Sequence, residues 1–232
     1  MIASNINQFY QQTLKREIKF SGIGLHTGVH SNVRIAPSIL DSGITFIRKD
    51  LKANNTIKAL WSNVISTNLS TTISNKHKAT VSTIEHLMSA LSGMHIDNVK
   101  IFIDGPEVPI MDGSSKPFVE LFEKAKIIKQ NKYRKILKVN KEITVQNRDS
   151  FISLTPHKEF SVDFEIEFDS HLINKQSCQL QLLNGNYKND ISSARTFGFE
   201  KDVEQLRAKG FALGGSLDNA VVVGNKRILN KE

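Results

Sequence analysis

Apolar and polar residues alternate in short runs over residues 14–21, 31–36 and 44–48, which predicts three strands separated by turns at Gly22-Ile23-Gly24 and Gly28. The period then changes. Val81, Ile84, Leu87, Met88, Leu91 and Met94 recur at three- and four-residue intervals, so one apolar stripe runs down a helix that stops near Gly93. Residues 98–103 alternate again as a strand, Asp104-Gly105-Pro106 turns the chain, and residues 117–125 regain helical spacing through Phe118, Leu121 and Phe122. Asp112-Gly113-Ser114-Ser115 supplies the turn and cap for that helix. A basic stretch over residues 126–134 reads as a linker between two halves. Strand patterns return at residues 136–139, 142–146, 151–155 and 161–168, followed by a helix at 201–209 with Val203, Leu206 and Ala208 facing inward and a short apolar strand at 220–223.

Composition narrows the class. At 232 residues and 39% hydrophobic content the chain can bury a substantial core. It contains no run of roughly 18 apolar residues, the minimum for a membrane helix. The first twenty residues lack the basic region and apolar core of a signal peptide, so the cytoplasm is the expected compartment. Cys178 is the single cysteine, which excludes an intrachain disulfide and a thiolate zinc cage and marks it as a small buried or edge residue. The net charge of +8 is scattered, and its densest groups, at 124–129 and 132–138, have no run of interleaved stacking aromatics, so nucleic-acid binding is not indicated.

The first helix carries the candidate chemistry. Glu85 and His86 sit side by side at its start, diverging by about 100° around the axis yet able to border one pocket in a first turn. An imidazole that holds a metal-bound water and a carboxylate that deprotonates it form a hydrolytic pair. The same residues also fit a structural role. Ser82-Thr83-Ile84-Glu85 matches the S-x-x-E capping box, in which Glu85 would reach back to the backbone N–H of Ser82.

Four blocks occur in order: GIGLHTG at 22–28, STIEHLMSALSGMHIDNVKIFIDGPEVPIMDGSSKPFV at 82–119, ISSARTFGFEKDVEQLRAKGFALGGSLDNAVVV at 191–223, and RILN at 227–230. Together they resemble the UDP-3-O-acyl-N-acetylglucosamine deacetylase family, zinc amidohydrolases at a committed step of lipid A biosynthesis, over nearly all the chain after about residue 13. The resemblance implies an α+β fold of two similar α/β sandwich domains with helices packed between sheets. Residues 1–130 would carry the Glu85-His86 helix, and residues 131–232 would form a second domain, incomplete at its C-terminus, with a strand-helix-strand acyl-tunnel insert at about 197–223. It implies Zn2+ as cofactor with His86 as one ligand, Glu85 as general base, and Thr196 of the S-x-A-R-T-F-G segment as the donor to the oxyanion. His26, Leu69 and Ser70 would approach the substrate from loops of the first domain. Phe197, Gly198, Phe199, Ala212, Ser216, Leu217 and Ala220 would do so from the insert.

In the resembling family two further zinc ligands lie in an H-K-x-x-D motif downstream of the RILN-type strand, and a general-acid His lies later still. The sequence stops at Glu232, and none of its seven histidines is followed four residues later by Asp or Glu. Two readings therefore stand. One is a zinc-dependent deacetylase that takes a small acylated UDP-sugar, binds no nucleic acid, has no transmembrane segment, and is a monomer when full length. The other is a catalytically inactive truncated form, acting at most as an acyl or nucleotide-sugar binding module.

Overall fold

The computed structural model describes residues 9–182 and 186–231. The first half runs through β1 (Tyr10–Leu14), β2 (Ile18–Ile23), β3 (His30–Pro37), β4 (Ile44–Arg48), β5 (Thr56–Lys58), β6 (Val64–Ser66), β7 (Thr72–Ser74), β8 (Thr80–Val81), α1 (Glu85–Gly93), β9 (Val99–Ile103), α2 (Lys116–Ala125) and β10 (Ile127–Tyr133). Its main sheet has the order β2-β3-β9-β4-β5, antiparallel except for the β4–β9 pair. A smaller sheet joins β6, β7 and β8, and β1 pairs with β10 as an antiparallel ribbon. Alternation does what the sequence predicts: Val33, Ile35, Phe46, Val99, Ile101 and Ile103 turn to one face and are buried. Leu87, Ala90 and Leu91 of α1 and Phe118, Val119 and Phe122 of α2 cover that face, giving one core. Layering of helices on sheet is thus present in this half.

Local chemistry moves several boundaries. The run at 14–21 breaks at Lys15-Arg16-Glu17, three exposed charged residues that separate β1 from β2. The first helix begins at Glu85 because Val81 belongs to β8 and Thr83 has φ 53°, a left-handed conformation that no α-helix contains. The basic segment at 126–134 is not a linker but β10, whose exposed lysines are what an edge strand tolerates. Residues 136–139 form no strand.

The second half contains β11 (Ile143–Asn147), β12 (Ser150–Leu154), β13 (Ser161–Glu167), β14 (Lys175–Gln181), β15 (Phe197–Phe199), α3 (Glu200–Ala208) and β16 (Val221–Val223). Among the described residues, β11-β12 and β13-β14 are two separate hairpins, and β15 and β16 form a parallel pair connected through α3. That last unit is a strand-helix-strand element over residues 197–223. β14 escapes the hydrophobic pattern because KQSCQLQ offers one large apolar residue, and its Cys178 is exposed rather than buried. In α3, Val203 and Leu206 are half-buried, but Ala208 is exposed, against expectation. The RILN segment is no strand either: it folds back through a single bridge from Ile228 to Val223. No helix among the described residues is long and apolar enough to cross a membrane.

Candidate functional site

Glu85 opens α1, half-buried, and its Oε2 accepts the backbone N–H of Thr71 at 3.0 Å. The capping box is not formed. The Ser82 N–H donates to the carbonyl of Pro106 at 2.9 Å and its hydroxyl to the same oxygen at 3.3 Å, while Ile84 caps the helix without any side-chain bond. The strained turn at Thr83 swings Ser82 out of helical register, so the Glu85 carboxylate has no capping duty.

His86 lies beside it, half-buried. Burial pushes its imidazole pKa below the ordinary value, opposed by the nearby carboxylates of Glu85 and Asp112, so the ring is neutral at neutral pH and its lone pair is available. Its backbone carbonyl accepts the Ser115 hydroxyl at 3.0 Å, in place of the helix cap expected from that serine. This ties α1 to the loop at 111–115. Thr196 reaches the same loop from the other side: its N–H donates to the Gly113 carbonyl at 2.8 Å. Gly113 has φ 86°, and a Cβ there would sit 2.3 Å from the carbonyl of Asn219, so only glycine lets the two segments meet. Arg195 fastens this approach, its Nε donating to the Asp112 carbonyl at 2.8 Å.

His26 gathers the predicted loops. Its Nε2 is 3.3 Å from the Leu69 carbonyl oxygen, its Nδ1 accepts the Ala212 N–H at 3.4 Å, and Phe211 lies edge-on to its ring at 5.6 Å. Leu213 and Gly214 donate their N–H groups to the carbonyls of His26 and Leu25. The loop after α3 therefore rests on the GIGLHTG turn. Ser70 is half-buried between Leu69 and Thr71. Ser216 and Ala220 are held by Asn219 and Asn230: the Ser216 N–H donates to Asn219 Oδ1 at 2.8 Å, and Asn230 Nδ2 donates to the carbonyls of Leu217 and Ala220. Phe197 and Phe199 cluster with Phe168, with ring centroids 5.4 to 5.9 Å apart. Gly198 between them meets nothing within 4 Å of where a Cβ would be. The structure thus brings His26, Leu69 and Ala212 together and Thr196 to the 111–115 loop, while Phe197 to Phe199 form a separate aromatic patch.

Three contributors escape the sequence reading. Glu107 is fully buried and accepts four hydrogen bonds: from the N–H of His26 at 2.9 Å, the N–H and hydroxyl of Thr27 at 2.8 and 2.7 Å, and the hydroxyl of Thr83 at 2.7 Å. Burial raises its pKa, but the donors outweigh it and hold the carboxyl below the usual range. Its one sequence signal is an acid within the apolar run Glu107-Val108-Pro109-Ile110. Tyr187 is buried against α1, its hydroxyl 2.8 Å from Ser89 Oγ. A Cβ on Gly93, where the helix stops as its spacing predicts, would fall 2.2 Å from that ring, so the glycine also serves this close approach. Asn230, the last residue of RILN, holds the 217–222 turn.

As a metal site the donors are incomplete. Among the described residues no group of three His, Cys, Asp or Glu side chains is placed to hold a metal ion. A neutral, half-buried His86 suits one position of such a site, and the described residues do not fill the others. An open depression of about 490 Å³ lies on the sheet at Lys19, Arg34 and Phe102 and shares no residue with this constellation.

Comparison with known proteins gives concordant matches. The family described as UDP-3-O-acyl N-acetylglycosamine deacetylase matches residues 11–232. A UDP-3-O-acyl-N-acetylglucosamine deacetylase of Syntrophus aciditrophicus (strain SB) is 47% identical over 224 residues, covering 97% of this chain and 71% of the relative. One from Geobacter sp. (strain M21) is 45% identical, covering 96% of this chain and 73% of the relative, and one from Nautilia profundicola is 44% identical, covering 95% and 74%.

Proposed function

The chain belongs to the UDP-3-O-acyl N-acetylglycosamine deacetylase family, and we propose from that premise that its site serves hydrolysis of the N-acetyl group of UDP-3-O-acyl-N-acetylglucosamine in lipid A biosynthesis. Acetate and a free amine on the sugar are the products. The observation that carries the assignment of roles is the Glu85 carboxylate, released from capping and set beside a neutral His86. With Oε2 engaged by Thr71, Oε1 of Glu85 is the base for the attacking water. The water oxygen bonds to the acetamide carbon and its proton passes to Glu85. The C–N bond then breaks, and that proton is available to the departing nitrogen. Thr196 donates its hydroxyl to the oxyanion that forms between these steps. Zn2+ is the proposed metal, with His86 as one ligand, and when bound it polarises an amide carbonyl and acidifies water. His26, Leu69, Ser70, Ala212, Ser216, Leu217 and Ala220 form the proposed substrate wall, and Phe197, Gly198 and Phe199 the start of an acyl-chain surface. A UDP-activated sugar is a cytoplasmic metabolite, which supports a cytoplasmic enzyme, proposed as a monomer when full length.

Thr196 tests this arrangement separately from the base. Thr196→Val keeps the side chain's shape and removes the donor. Acetate release by the protein carrying these residues is expected to fall about 10²-fold with little change in KM. Turnover at the original rate would remove Thr196 from the oxyanion site.

A second reading rests on the incomplete donor set: the 232-residue chain by itself binds the acylated nucleotide sugar without turning it over. One imidazole holds zinc poorly where three protein ligands are needed. After dialysis the chain is expected to retain well under one zinc per molecule. A full equivalent of tightly held zinc, lost on His86→Ala, would contradict that expectation.

A further inference from the structure

We propose that Glu107 is a positioning residue that locks the start of α1 and the His26 loop to one another, so that neither half of the site is set independently. The proposal rests on Glu85 and His26 belonging to the site proposed above.

The geometry forms a closed circuit. Glu107 Oε1 is shared by the Thr83 hydroxyl at 2.7 Å and the His26 N–H at 2.9 Å, so one oxygen joins the two segments. Two residues beyond Thr83, Glu85 accepts the Thr71 N–H; two residues before Thr71, the Leu69 carbonyl meets His26 Nε2. Each segment is therefore held at both ends, once through Glu107 and once through the 69–71 loop. Glu107 Oε2 pins the turn further through both donors of Thr27.

Two costs show that this clasp is not incidental. A buried carboxylate gives up its hydration, which only well-aimed donors restore, and all four donors here require the ionised acceptor. Thr83 is a β-branched residue at φ 53°, 2% exposed, a conformation kept only where the surroundings over-determine it. Its bond to Glu107 is that restraint, and the strained turn is what frees Glu85 from capping. Gly24 leaves the necessary room on the other side, since a Cβ there would lie 2.4 Å from Glu107 Oε2.

Amide hydrogen exchange on the folded chain tests the lock without requiring turnover. Thr83→Val removes the hydroxyl and keeps the shape. The N–H of Thr71, which reports on Glu85, and the N–H of Leu213, which donates to the His26 carbonyl, should each exchange at least about tenfold faster while β9 amides change less than about twofold. Thr83→Ser should restore both rates. Gly24→Ala, which displaces the carboxylate from the loop side, should also speed the Thr71 amide. It and Glu107→Gln carry the test if Thr83→Val does not fold. Unchanged Thr71 and Leu213 rates, or acceleration of all amides in step with lower global stability, would reduce Glu107 to a merely structural acid and overturn the proposal. Normal turnover in Glu85→Gln would instead refute the base assignment and leave the exchange result standing.

Discussion

Amides of β3, β4 and β9 are expected to exchange at least about 10³-fold more slowly than those of the β11-β12 and β13-β14 hairpins in the isolated 232-residue chain, a gap of about 4 kcal/mol in opening free energy. The contrast follows from burial. The sheet strands press Val33, Ile35, Phe46, Val99, Ile101 and Ile103 against two helices, and opening them exposes that whole core. The hairpins have no such backing: Ile143, Val145, Phe151, Ile152 and Leu154 are all exposed, and each hairpin pairs only within itself among the described residues. An isolated two-stranded hairpin is marginal in water. The exposed side chains also amount to an apolar surface of the kind that drives association, so the chain should self-associate as its concentration rises. Equal protection in both halves together with a monodisperse monomer would refute this account of the hairpins.

Much of the first half was legible because its strands lie half-buried under helices, where alternation and helical spacing report burial directly. Residues 44–48 and 117–125 emerge almost as read. The errors share a cause: each is a place where a long-range contact overrode the local pattern. The lysines at 126–134 resemble a linker until β1 supplies a pairing partner. Val81 continues the apolar stripe of α1, yet its burial comes from β8. Ser82 and Glu85 have capping-box spacing, but a left-handed Thr83, held by Glu107 from 24 residues away, forbids the box. β14 has too little apolar content to announce itself, and its pairing with β13 alone defines it.

The candidate site was readable in part for a different reason. Glu85, His86, Thr196 and His26 stand in blocks whose resemblance to a family is specific, and the structure draws His26, Leu69 and Ala212 to one place. What holds them was not readable. Glu107, Tyr187 and Asn230 act through contacts that no spacing encodes: a carboxylate between two loops, a ring on a bare helix glycine, an amide across a turn. Gly24 and Gly113 were read as turn formers and Gly93 as a helix stop, whereas each is also needed for close approach.

Glu85 is proposed to take the proton from the attacking water. Glu85→Gln preserves size and can still accept the Thr71 N–H, so the fold is expected to stay intact. Its amide cannot act as a base, and general-base catalysis of this kind is worth about 10² to 10⁴ in rate. The capping-box role alone would have cost about 1 kcal/mol of stability with turnover kept. Acetate release from UDP-3-O-acyl-N-acetylglucosamine, measured on the protein carrying these residues alongside its melting temperature, separates the two. Turnover is expected to fall by about 10² or more at an unchanged melting temperature; near-normal turnover with a lowered melting temperature would return Glu85 to a purely structural role.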